Sequence, residues 1–276
     1  AFLAMILFLL LPIHSEAVSA IVGRAELLAL FFSVLSLLCV LDKRYTFASL
    51  LLLMGLLSKE TAAGFFLVFL YLWKFQEKES LKKIVHGLLY FVPSIVIYAV
   101  MRASVLGKYF VGVDHLMAYN PLKFAPFFHS LWTSLKVFYL YILKTVVPYQ
   151  LSSDYSFNQI PIIQNPLVYY EVYLGVTILA ATLYLVIKKR NTIYGLSAAI
   201  FLFTYLPVSN WFVKIGTIMG ERLMYAPSLG LVILLASIFN FQSKFNPPTG
   251  GQNPKFTYYL LHTTYYILLT TLLIWY

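Results

Sequence analysis

The chain has 276 residues, of which 61% are hydrophobic, 18% are aromatic and 11% are charged. Because a soluble domain keeps about 25% charged residues to hydrate its surface, this composition excludes an ordinary soluble domain and predicts a polytopic helical membrane protein. The formal net charge is +10, but the basic residues stand between apolar segments. We therefore expect no nucleic-acid partner and interpret the positive charge as a signal of membrane topology.

Several kinds of reactive centre are absent from the sequence. The single cysteine, Cys39, excludes an intrachain disulfide and a cysteine-based metal site. No histidine has the spacing of a zinc ligand pair, and there is no glycine-rich phosphate loop or nucleophile elbow. We expect no metal and no cofactor.

Ten apolar segments run along the chain, and a bilayer span requires about 20 apolar residues in a helix. They cover residues 1–13, 25–41, 45–57, 61–73, 86–102, 130–147, 167–187, 192–208, 222–241 and 257–276.

Two kinds of polar break separate these segments. The basic breaks, at 42–44, 74–83, 188–190 and 241–256, are predicted to be cytoplasmic by the positive-inside rule. The others combine acids, histidine, asparagine and aromatic residues, and alternation places them on the opposite face: 14–26, 58–61, 102–171 and 209–222. Alternation holds only if segment 130–147 does not cross, so we predict an interfacial or re-entrant helix there. The resulting all-α bundle has about nine spans.

Acidic residues on the predicted non-cytoplasmic face are the main candidates for chemistry. A carboxylate at a membrane boundary is costly unless it is paired or hydrated. Arg24 and Glu26, Lys59 and Glu60, and Glu221 and Arg222 are neighbouring charges at the starts of apolar segments. The glutamates are equally explained as helix caps or interfacial pairs. If Arg24, Lys59 and Arg222 converge, they form a cluster suited to a lipid-linked phosphate.

The sequence VVPYQLSSDYSFNQIP, residues 146–161, is the strongest loop signal. Its serines, Asp154 and Asn158 are typical turn residues. The alternative interpretation is that Asp154 and Tyr155 line a sugar or acceptor site.

Four blocks carry a resemblance to a known family: PIHSEAVSAIVGRAELL at 12–28, LLSKETA at 56–62, VPYQLSSDYSFNQIP at 147–161 and LPVSNWFVKIGTIMGERLMYAPSLG at 206–230. In this order they resemble the membrane half of the transmembrane and tetratricopeptide-repeat (TMTC-type) O-mannosyltransferases. The last two resemble the domain called DUF1736, here within residues 103–171, and the segment after it. Three departures are mild: Leu11 replaces a frequent His, Glu26 a common Asp and Gly220 a common Ala.

The resemblance implies a GT-C glycosyltransferase fold and transfer of mannose from a polyprenyl or dolichyl phosphate carrier to a protein Ser or Thr hydroxyl. The reaction would occur in the endoplasmic reticulum lumen or bacterial periplasm by one inverting displacement. A carboxylate would accept the hydroxyl proton while cations hold the departing phosphate. The expected partners are the lipid donor and a protein acceptor.

The resemblance also implies roles for individual residues. The donor phosphate would be bound by Lys59, Arg222 and Arg24. Orienting or substrate-binding roles would fall to Glu60, Glu221, Asp154, Tyr155 and His14. The catalytic base is expected in a first lumenal loop, with Glu16 as a second candidate. We expect the sequence to be part of a longer protein that adds this loop, a first span and tetratricopeptide repeats, and we expect the given sequence alone to be inactive.

Two other functions fit the intramembrane charges. A lipid-sugar transporter or flippase usually has repeated halves and discontinuous helices, which are not evident here. A noncatalytic membrane scaffold that presents tetratricopeptide repeats would tolerate loss of Lys59 and Arg222, whereas a transferase would not.

Overall fold

The computed structural model describes residues 2–107 and 117–239, and every regular element in them is a helix, as the composition predicts. The eleven α-helices are α1 Phe2–Leu10, α2 Ser15–Ser19, α3 Arg24–Leu41, α4 Tyr45–Ser58, α5 Gly64–Tyr71, α6 Leu81–Leu89, α7 Val92–Leu106, α8 Phe127–Val146, α9 Tyr170–Lys188, α10 Ile193–Tyr205 and α11 Tyr225–Phe239.

The described helices supply three to five candidate spans. Three are long and apolar enough by themselves: Ile21–Leu41, Tyr170–Lys188 and Glu221–Phe239. Two bent pairs raise the number to five if each is one span: Phe2–Leu10 with Pro12–Ser19, at 57°, and Leu81–Leu89 with Val92–Leu106, at 43°. The predicted count of nine spans is therefore not confirmed in the described part of the chain. The predicted segment 257–276 lies outside the described residues.

Several predicted spans are shorter or less regular than a full membrane-spanning helix. The segment predicted at 61–73 begins as the 3₁₀ turn Glu60–Ala63, continues as α5 and ends in the π-helical turn Leu72–Gln76. Helix α4 and the segment Ile193–Val208 are apolar but shorter than a full span.

The main core joins α3, α4 and α5 to α10 and α11, with the fully buried Phe65, Phe69 and Leu30 among its side chains. Helices α10 and α11 touch at Gly230, where an added Cβ would lie 2.3 Å from the backbone nitrogen of Phe201. Small residues allow such close backbone contact between membrane helices.

Helix α8 matches the helix predicted at 130–147 and supports the polar loops. Its backbone meets α9 at Gly175, where a Cβ would lie 2.2 Å from the Leu135 carbonyl oxygen. Thr133 and Ser134 on its buried face each donate to a carbonyl one turn earlier, at 2.7 and 2.8 Å. Helix α8 is not among the candidate spans. Its interfacial or re-entrant position stays a prediction.

The polar turns lie side by side at one end of the bundle. The segment Pro12–Ser19 contacts the 3₁₀ turn Glu221–Met224, and Glu60–Ala63 contacts both α3 and the turn Leu206–Val208. We call these turns, together with the loop 147–160, the polar layer.

Candidate functional site

Glu16 and Arg222 form the first ion pair of the polar layer. The Arg222 backbone nitrogen donates to Glu16 Oε2 at 2.9 Å, and the Arg222 guanidinium forms an ion pair with Glu16 Oε1. The Glu16 side chain is 6% exposed and that of Arg222 is 29% exposed. A buried carboxylate thus fixes both the backbone and the side chain of a partly exposed arginine.

Glu26 and Lys59 form the second ion pair. Lys59 Nζ lies 3.3 Å from Glu26 Oε1, and Thr61 Oγ1 donates to Glu26 Oε2 at 2.9 Å. The exposed fractions are again unequal, 2% for Glu26 and 24% for Lys59. The break between α4 and α5 therefore holds a cation above the first turn of α3.

Sequence neighbours do not pair at this break. Glu60, which adjoins Lys59, is exposed and lies 3.8 Å from the Arg102 guanidinium on α7. An interfacial pair between Lys59 and Glu60 is therefore not what the structure contains.

Glu221 anchors the loop that follows α8. It is 1% exposed, and its Oε1 accepts from the Ser152 backbone nitrogen at 2.7 Å and from the Tyr155 hydroxyl at 2.5 Å. Burial and the hydrogen bond to Glu221 raise the pKa of Tyr155. Tyr155 therefore remains a neutral donor to the buried carboxylate.

Asp154 and Tyr155 point in different directions. The Asp154 carboxylate is exposed, and its Oδ1 accepts from the Ser156 hydroxyl at 2.5 Å and the Ser156 backbone nitrogen at 2.9 Å. The hydrogen bonds from Ser156 lower the pKa of Asp154. Asp154 thus closes a local turn, whereas Tyr155 donates to the buried Glu221.

His14 occupies a core position within the polar layer. Its side chain is buried, its Nε2 lies 2.7 Å from Ser228 Oγ, and its ring centroid is 4.5 Å from that of Phe8 and 4.7 Å from that of Tyr225. Arg24 is exposed at the first turn of α3. The His14 imidazole thus faces the hydroxyl of Ser228 on α11.

Tyr141, which no sequence pattern singles out, fixes the residue before Glu221. The buried Tyr141 hydroxyl accepts from the Gly220 backbone nitrogen at 2.9 Å and donates to the Gly220 carbonyl at 3.1 Å. A tyrosine inside an aromatic helix gives no local signal of this role.

Asn210 organises the turn that leads to Gly220, another feature that sequence analysis missed. It adopts a left-handed φ of 58°, and its Oδ1 accepts from Asn120 Nδ2 at 3.0 Å and from the Ile215 backbone nitrogen at 2.9 Å. Asparagine tolerates this backbone conformation better than most residues. The only sequence signal of this turn is the position of Asn210 between Pro207 and Gly216.

The two ion pairs give the site its chemical character. Within residues 2–107 and 117–239, no group of three or more His, Cys, Asp or Glu is arranged to hold a metal ion. In the same part of the chain, the buried Arg222 Nε has no hydrogen-bond partner. Two anchored cations with partly exposed charges suit an anionic ligand such as a phosphate.

The fold and site together define a helical membrane protein with a layer of buried carboxylates and anchored cations at one end of its bundle. Two known proteins are similar to this chain over most of its length. The chain is 29% identical over 244 residues to the protein O-mannosyl-transferase F38B6.6 of Caenorhabditis elegans, a match covering 87% of this chain and 34% of that protein. It is 28% identical over 291 residues to the human protein O-mannosyl-transferase TMTC4, covering 88% of this chain and 38% of that protein.

These matches confirm the resemblance carried by the four sequence blocks: the chain is similar to protein O-mannosyl-transferases of the TMTC type. It spans between a third and two fifths of the length of the curated relatives it matches. No protein-family model matches the chain, and no solved structure matches it.

Proposed function

We propose that the protein is a membrane glycosyltransferase of GT-C type that moves mannose from a polyprenyl phosphate carrier to a Ser or Thr hydroxyl of a protein. The names of its relatives support the sugar and the protein acceptor. The predicted topology favours the non-cytoplasmic face for the reaction, and the family resemblance implies the endoplasmic reticulum or the bacterial inner membrane. The observation that carries the proposal is the pair of cations, Arg222 and Lys59, each anchored by a buried carboxylate.

The anchoring explains how the donor phosphate would be held. Each carboxylate is buried and each cation is partly exposed, so each cation is held in place while part of its side chain stays accessible to a ligand. Preorganised cations of this kind stabilise charge that develops on a leaving group.

The displacement divides the work among these residues. The acceptor hydroxyl oxygen would bond to the anomeric carbon as the bond to the carrier phosphate oxygen breaks, and the electron pair would leave with the phosphate toward Arg222 and Lys59. Both oxygens of Glu16 contact Arg222. We therefore assign Glu16 as a positioning residue, and we assign the general base to the first lumenal loop implied by the family resemblance.

Mannose transfer by the full-length protein tests this proposal. Single substitution of a cation would leave a buried unpaired carboxylate, which is strongly destabilising. We would therefore use the paired variants Arg222→Met with Glu16→Gln, and Lys59→Met with Glu26→Gln. Each should reduce transfer from polyprenyl phosphate mannose to a Ser/Thr peptide by about 100-fold or more.

A third ion pair provides the control. Lys136 on α8 lies 3.3 Å from Glu171 on α9, and both side chains are partly buried. The variant Lys136→Met with Glu171→Gln should keep transfer close to that of the wild type. Wild-type transfer that survives in both site variants would refute the phosphate assignment. Lipid translocation without mannose transfer would support the transporter function. Folded protein that shows neither translocation nor transfer would support the scaffold function.

A further inference from the structure

A groove lies at the other end of α4 from the polar layer. Helix α4 has 14 residues, so its rise separates the two ends by about 20 Å. The groove has a volume of about 390 Å³ and is formed by α4, α6 and α7. Leu50, Leu89 and Ile97 contribute to its predominantly apolar wall.

A cationic mouth adjoins this groove. A second cavity of about 250 Å³ shares Thr46 and Tyr90 with it and is lined by Lys43 and Arg44. Both cations are exposed, and no carboxylate among the described residues forms a salt bridge with either of them.

Acidic residues are also near this mouth. Asp42 immediately precedes Lys43 and is exposed. Glu79 is occupied by Lys83, with 2.9 Å between Glu79 Oε2 and Lys83 Nζ. The basic breaks at residues 42–44 and 74–83 together contain six cations and three acids. The local charge is therefore positive.

Helix α6 has the character of an interfacial helix beside the groove. Leu81, Val85 and Leu89, spaced by four residues, are exposed by 70%, 48% and 60%. On the inner side, Ile84 is buried and Gly87 packs against the Trp73 ring. An outward apolar stripe beside lysines is typical of a helix in the headgroup region of a bilayer.

We propose that this groove binds one anionic glycerophospholipid of the surrounding bilayer. The headgroup phosphate would lie at Lys43 and Arg44, and an acyl chain would follow Leu50 and Ile97. An apolar groove with a cationic mouth at the headgroup level complements both halves of such a lipid. The inference does not depend on the proposed catalytic activity, because the polar layer lies at the opposite end of α4.

Native mass spectrometry of the full-length protein with added phosphatidylserine or phosphatidylcholine tests the headgroup site. Lys43 has a φ of 59°, a conformation that asparagine tolerates, so the test variant is Lys43→Asn with Arg44→Gln. It should weaken phosphatidylserine binding by about tenfold or more and leave phosphatidylcholine binding unchanged. The control Lys188→Gln with Lys189→Gln removes two charges at the end of α9 and should bind phosphatidylserine as the wild type does.

A second variant tests the apolar half of the groove. Ile97→Trp should fill the groove and reduce phosphatidylserine retention, whereas Val96→Trp, at an exposed position outside the groove, should not. Equal binding of both lipids, or equal loss in the Lys188 and Lys189 control, would overturn the proposal. Charge-dependent binding of polyprenyl phosphate here, without phosphatidylserine binding, would also overturn it.

Discussion

Buried carboxylates determine the geometry of the polar layer at the scale of single residues. Glu16, Glu26 and Glu221 are buried, and each has two contacts from cations or hydrogen-bond donors. A buried charge is tolerated only when it is paired and hydrogen-bonded. The partners of these carboxylates lie far from them in the sequence, and their contacts join the polar turns to one another.

Tyr141→Phe tests whether the hydroxyl of Tyr141 positions the turn before Glu221. The substitution leaves the Gly220 backbone nitrogen and carbonyl without their partner, and each unsatisfied buried group costs about 1–3 kcal/mol. We expect a lower free energy of unfolding in detergent and reduced mannose transfer. Tyr139→Phe, on the same helix and half-buried, is the control; equal effects from both variants would argue against the positioning role.

Asp154→Asn separates a turn residue from a sugar ligand. Asparagine keeps an oxygen that accepts from Ser156, so neutral-pH activity should persist if Asp154 only closes the turn. Because the pKa of Asp154 is lowered in the folded protein, its carboxylate stabilises the turn above its unfolded pKa. That stabilisation is lost as the pH falls through the lower folded pKa.

Hydrogen exchange of the loop 147–160 measures this pH dependence. Protection should decrease on acidification below about pH 4 in the wild type and less so in Asp154→Asn. Loss of transfer at neutral pH in this variant, with an unchanged loop, would instead assign the carboxylate to the substrate.

Helix contacts, at the scale of elements, depend on close backbone approach. Gly230→Ala would bring a Cβ to 2.3 Å from the Phe201 backbone nitrogen and 2.5 Å from the Ser197 carbonyl oxygen. We expect α10 and α11 to separate, at a cost of about 1–3 kcal/mol in the free energy of unfolding.

Gly220→Ala is the matched glycine control. Gly220 has an extended φ of −158°, and its nearest neighbours to an added Cβ are 3.8 Å away. An alanine therefore fits at this position, where the family that the sequence resembles commonly has one. Thermal unfolding that is lowered as much by Gly220→Ala as by Gly230→Ala would contradict the packing argument.

The membrane topology is a prediction for the whole molecule. In a Cys39→Ala background, single cysteines at Phe124 and Tyr149 flank α8, and both positions are exposed. If α8 does not cross the bilayer, an impermeant thiol reagent should label both from the same side. A cysteine at Lys43 should be labelled from the opposite side.

Opposite labelling of the two flanking cysteines would show that α8 spans the membrane. The assignment of the later polar turns to one face would then fail, because alternation would be shifted by one crossing. Labelling of Lys43 and Tyr149 positions from the same side would contradict the positive-inside prediction.

The sequence by itself determined the class of protein, the positions of most helices and the family resemblance. Hydrophobic content and apolar segments show directly that a chain is suited to a bilayer. Ordered motifs such as SKET and GER can be read in the sequence without a structure. They also identified Glu16, Glu26, Lys59, Glu221 and Arg222 as unusual charges.

Only the tertiary structure decided which of these charges meet. Lys59 pairs with Glu26 instead of its neighbour Glu60, Arg222 pairs with Glu16 across more than 200 positions, and Tyr155 turns inward while Asp154 turns outward. Pairing depends on how the ends of separate helices pack. A buried carboxylate needs a cation or hydrogen-bond donor next to it, and that partner is set by distance in space. Local sequence contains neither the distance from Lys59 to Glu26 nor the distance from Arg222 to Glu16, so these two ion pairs become evident only in the folded chain.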